Sequence, residues 1–104
     1  MNTTPTLTPD QNLAHYCAQL DLAVSNVRST AEGLNRAQGK PQIRKGWLAE
    51  HNKRVQQLDA AISRLFWALH RSNGNPSPSM KTHAETVHDY GCRVLNTYAP
   101  ITPA

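Results

Sequence analysis

Apolar residues recur along this chain at alternating spacings of three and four, the period of one face of an α-helix. Leu13, Cys17, Leu20, Val24, Val27, Ala31 and Leu34 form a first seam. Leu48, His51, Val55, Leu58, Ile62, Leu65 and Leu69 form a second, with Ile43 and Trp47 flanking its start. Met80, Ala84, Val87, Gly91, Val94 and Tyr98 make a shorter third. Helix signals bracket each seam. Thr8-Pro9-Asp10-Gln11 supplies a capping threonine, a proline suited to the first helical position, and a glutamine placed to close a capping box. Gly39 followed by Pro41 ends the first helix and opens the second. The run from Ser72 to Pro78, rich in Asn, Gly and Pro, ends the second. The pattern therefore predicts a single helical domain over 9–98, with helices at about 9–38, 41–71 and 78–98. Loose tails are expected at 1–8 and 99–104.

Two helices of about 30 residues each reach about 45 Å at 1.5 Å per residue, and the third about 30 Å. A turn as short as Gly39–Pro41 forces the long pair into an antiparallel hairpin. The third helix is long enough to cover only part of the groove between them. The expected fold is all-α: a long antiparallel hairpin plus a shorter third helix, a three-helix bundle. Leu, Ile, Val and Phe together supply only 19 of the 104 residues, against 12 alanines. Large apolar side chains are thus scarce for a chain this size. That shortage predicts a dimer, or a partner that completes the core.

Two residues interrupt the pattern. Trp67 lies opposite the second seam beside Phe66, so it is either covered by the third helix or left for a partner; coverage is the expectation. His51 occupies a seam position, where a lone polar residue can fix register or respond to pH. The plainer expectation is that it leans to the seam edge and finds a backbone or water partner.

Charge changes the picture more than composition does. The formal net charge is +4, yet the segment from Arg36 to Arg54 holds six basic residues and one acid. Positive charge therefore gathers at the turn of the hairpin. Arg36, Lys40, Arg44, Lys45, Lys53 and Arg54, with Trp47 among them, are candidate partner-binding residues, as is Trp67 on the back of the second helix. Such a tip suits an acidic protein surface or nucleic-acid phosphates. The bland reading is a solvated turn.

Catalytic signals are absent by contrast. The sequence has no Gly-rich phosphate loop, no nucleophile elbow and no paired-cysteine zinc spacing. His88 and Cys92 share a helical face with His83 nearby, and Cys17 could complete a set, but zinc asks for more ligands than the spacing supplies. The cysteines read as small buried hydrophobes and the histidines as surface residues. No metal, cofactor or catalytic residue is assigned. No apolar run approaches the ~20 residues needed to cross a bilayer. The first residues carry neither the basic flank nor the apolar stretch of a signal peptide. A cytoplasmic location with reduced thiols is expected.

These features point to a small non-catalytic helical protein that binds and regulates or inhibits a larger protein, with an acidic surface on that partner fitting the tip. Proteins of this build are frequent among phage and mobile-element inhibitors and adaptors, which is a base rate and not a resemblance. The alternative is a nucleic-acid-binding protein that uses residues 36–54. No membrane role is expected, because the apolar face of the second helix is committed to the hairpin.

Overall fold

The computed structural model describes residues 8–71 and 76–98. The expected tails at 1–7 and 99–104, and the centre of the second turn at 72–75, lie outside the described residues. Three helices account for the described chain: α1 (Pro9–Arg36), α2 (Pro41–Arg71) and α3 (Pro78–Thr97). All three pack on one another. The capping box at the start of α1 is formed: Gln11 N–H donates to Thr8 Oγ1 at 3.1 Å, and Thr8 N–H donates to Gln11 Oε1 at 3.0 Å. Ser77 caps α3 by accepting from the Met80 amide.

The first helix stops two residues earlier than its pattern suggests. Ala37 N–H is shared between the Gly33 and Leu34 carbonyls, a tightening of the last turn, and the chain then reverses at Gly39 with φ near +80°. Only that left-handed conformation lets Lys40 N–H return to the Ala37 carbonyl and Pro41 start α2, so a glycine is required there.

The seams bury as the periodicity requires. Leu13, Leu20, Val27, Leu58 and Leu65 are fully enclosed, and Ala84, Val87 and Val94 bring α3 onto them. Two contacts fix how α3 lies. The Asp10 carboxylate accepts from Ser77 N–H at 2.7 Å, tying the start of α3 to the start of α1. Gly91 lets α3 settle deep between the long helices: a Cβ there would stand 2.9 Å from Leu20 Cδ2 and 3.2 Å from Ile62 Cγ1. Helix α3 therefore runs parallel to α1 and antiparallel to α2, an up-down-up arrangement. It ends at Thr97, with Tyr98 edge-on to His51 at 6.5 Å between ring centres. Beyond that point the hairpin continues alone, and all of residues 38–47 are exposed.

Two expectations need correction. Helix α3 does not cover Trp67, which is 52% exposed. Its neighbour Phe66 turns toward α3 instead, with its ring 5.9 Å from that of His88. Each helical step rotates the side chain by about 100°, so a one-residue difference decides which aromatic meets α3. His51 does not lean to an edge either. It is 2% exposed, and its partner is a side chain, the Thr30 hydroxyl across the hairpin at 2.8 Å.

Candidate docking interface on the hairpin

The hairpin has two grooves, and α3 fills one. Arg28 of α1 meets the Tyr90 hydroxyl of α3, and Phe66 of α2 meets His88, so both contacts mark the covered side. The opposite groove is open. On α1, Leu22, Asn26 and Gly33 share a face, and on α2 the corresponding row is Ile43, Trp47, Glu50, Arg54, Gln57 and Ala61. Leu22, Asn26, Arg54, Gln57 and Ala61 line one continuous depression between the helices. Leu22 is 63% exposed and Ile43 54%. On a chain with so few large apolar residues, two of its thirteen Leu and Ile residues stand in solvent on this one side.

Trp47 closes the upper end of that groove. Its ring lies against Gly33, where a Cβ would meet the indole carbons at 2.4 Å. The glycine costs α1 helical stability, about 1 kcal/mol relative to alanine. In exchange it gives the indole a flat seat on the backbone, leaving the ring 39% exposed. The spacing of α2 flagged Trp47; nothing in the sequence paired it with Gly33.

The basic residues do not form one site. Arg36 is exposed on α1 and pairs loosely with Glu32 at 3.6 Å. Arg54 is held in the open groove by Glu50 at 2.9 Å and by Gln57 at 3.0 Å. Lys40, Arg44 and Lys45 crowd the turn, where with Leu48 they border a shallow hollow. Among the described residues no carboxylate pairs with these three or with Lys53. The first turn of α2 has no acid, so its positive dipole end faces Arg44 and Lys45 uncompensated. Arg36, by contrast, sits favourably in the last turn of α1. Residues 32–54 contain six basic and two acidic side chains, a balance equal to the whole formal net charge of +4. Trp67 belongs elsewhere: twenty residues beyond Trp47, it is about 30 Å away along α2.

At the base of the tip, His51 and Thr30 join the two long helices. The threonine hydroxyl has one proton, and with that directed at the Val27 carbonyl at 3.0 Å, His51 Nδ1–H is the donor to Oγ1. Burial pushes the His51 pKa below its ordinary value of 6.5, which keeps the imidazole neutral. The thiols are quiet as well. Cys17 is buried and Cys92 half-buried. Desolvation, reinforced by Asp21 for Cys17 and by Asp89 and Asp59 for Cys92, raises both pKa values and disfavours the reactive thiolate. Cys92 Sγ stands 4.0 Å from His88 Nδ1, and His83 is exposed and takes no part. Among the described residues no three His, Cys, Asp or Glu side chains converge as metal ligands. No helix there is long and apolar enough to cross a membrane.

Comparison with protein-family models, curated proteins and solved structures finds no match to this chain.

Proposed function

We propose that the protein is a small non-catalytic interaction module that docks on a larger protein and regulates or inhibits it. The contact surface in this reading is the open groove of the hairpin. The observation that carries it is that Leu22, Ile43 and Trp47, three exposed large apolar residues, are spread along the side that α3 leaves uncovered. A helix of the partner laid along this groove occupies the place of a fourth bundle helix and buries all three. The basic turn at Lys40, Arg44 and Lys45 then favours a partner that is acidic beside the groove. A second copy of the chain is the competing occupant. The two unpaired cysteines fit a reducing cytoplasm, where we place the protein.

The test is capture on the tagged protein from an extract of its source cells after nuclease treatment, alongside the variant Leu22→Ser/Ile43→Ser. Both side chains are exposed, so the variant keeps its helicity by circular dichroism. The expected result is a stoichiometric protein retained by the wild type and lost from the variant. Equal retention by both, or capture that vanishes with nuclease, overturns the reading. Recovery of the bait alone, with sedimentation showing a dimer that the variant lacks, assigns the groove to a second copy and likewise overturns it.

A further inference from the structure

Helix α2 has a third face, turned away from both partners. Lys45, Lys53 and Arg71 stand on it, and Arg64 on its edge, all exposed and spread over about 39 Å at 1.5 Å per residue. Both acids of α2 lie off this face: Glu50 is bonded to Arg54 on the groove side, and the 100° helical step places Asp59 toward the α3 side. The face itself carries no acid along 31 residues. Between the cations stand Gly46, Ala49 and Ala60, small enough for a ligand backbone to approach the helix closely.

The one aromatic side chain on this face is Trp67. Arg71 lies over its ring at 4.4 Å from guanidinium carbon to centroid. Phe66 meets it edge-on at 5.8 Å, which steadies the indole while half of it stays open. A steadied, exposed indole in a row of cations that have no acid partner among the described residues is the combination that single-stranded nucleic acids engage: cations follow the phosphates, and a base stacks on the ring. An anionic membrane fits less well, because adsorption needs a broad apolar strip and this face offers only Trp67.

We propose that the outward face of α2 binds single-stranded nucleic acid, with Lys45, Lys53, Arg64 and Arg71 on phosphates and Trp67 under a base. This site shares Arg64 with the rim of the open groove and Lys45 with the basic turn, whereas Lys53, Trp67 and Arg71 border neither, so variants at those three test it apart from the docking role.

Fluorescence anisotropy of a labelled 20-residue oligothymidylate, titrated with the full chain, tests it. Four phosphate contacts on a single strand give a salt slope of about −3, hence roughly 50-fold weaker binding at 200 mM than at 50 mM salt. Trp67 emission, read in a Trp47→Phe background, is quenched on binding. Trp67→Ala weakens binding about tenfold, in the range of one lost base stack. Lys53→Glu/Arg71→Glu abolishes it, while Leu22→Ser leaves it unchanged; circular dichroism establishes that each variant is folded. No binding at 20 mM salt overturns the proposal, as does binding that survives Lys53→Glu/Arg71→Glu. Tighter binding to a duplex of the same length removes the stacked base and overturns it. So does binding to vesicles containing 30% phosphatidylserine without binding to the oligonucleotide.

Discussion

The two ends of the hairpin are built from the same kind of helix and are stabilised differently. At the covered end three helices meet, and Leu13, Leu20, Leu58 and Leu65 are fully enclosed. At the tip only two helices remain, Leu48 is half-buried, and Ile43 and Trp47 stand partly in solvent. What holds the tip to the body is specific: the His51–Thr30 hydrogen bond, the seat of Trp47 on Gly33, and a positive-φ glycine at the turn. The covered end therefore owes its stability to buried area, whereas the tip depends on a few defined contacts and keeps its apolar and basic side chains available. A third helix twenty residues long, against 28 and 31 for the others, creates this division.

The sharpest way to break the comparison is to remove a large side chain from each end. Leu65→Ala leaves a cavity where all three helices meet and costs about 2–5 kcal/mol, a large share of what a domain this small possesses. Leu48→Ala at the tip costs about 1 kcal/mol, because the site is half open. Urea denaturation followed by circular dichroism measures both. Equal losses would mean that the tip is packed as firmly as the body.

Gly91→Ala probes the seating of α3. Overpacking against Leu20 and Ile62 costs about 1–3 kcal/mol, and alanine returns about 1 kcal/mol of helix propensity. A net loss of about 1 kcal/mol is expected. A stabilised variant would show that α3 can shift outward freely.

The contact between tip and body carries a pH signature. The pKa of His51 is lowered in the fold, so the unfolded chain binds more protons and stability rises with pH. The contribution is complete above the ordinary value of 6.5 and is lost as pH falls below it. Melting temperatures at pH 7.5 and 5.5 should differ in that direction, with the gap narrowing in His51→Gln. Thr30→Val removes the partner and costs about 1–3 kcal/mol at either pH, the penalty for a buried imidazole without its bond.

The smallest effect on stability comes at Gly33. Gly33→Ala gains helix propensity of about 1 kcal/mol, yet its new methyl displaces the indole of Trp47 into water. Net stability changes by less than about 1 kcal/mol, while emission of Trp47, read with Trp67→Phe, shifts to the red. An unshifted spectrum would show that the indole is not seated on this glycine.

Much of the architecture was legible in the residues. Thr8 and Gln11 announced the capping box, Pro41 and Pro78 began their helices, and the three seams named most buried positions, though not Ala23, Thr30, Gly33, Ala37, Ala61 or Ala68. These signals are local, or repeat with the period of one helix, so they need no knowledge of what lies across the gap. The candidate surfaces were only half legible. The basic residues were visible as a cluster in sequence, and the i, i+4 spacing already paired Glu32 with Arg36 and Glu50 with Arg54; that Lys40, Arg44, Lys45 and Lys53 have no such acid among the described residues was not visible. Leu22 lies off the seam, so the periodicity assigned it no place, and its meaning depends on which groove α3 occupies.

By itself, then, the sequence determined the number of helices, where each begins and the antiparallel pairing of the long two, because periodicity, caps and a short turn act over short distances. The tertiary structure decided which side of the hairpin α3 covers. It thereby decided that Phe66 and not Trp67 faces α3, that His51 is sealed against Thr30, and that Trp47 rests on Gly33. Those outcomes turn on rotations of about 100° per residue and on close approach between helices. Only the packed arrangement of all three helices fixes such distances.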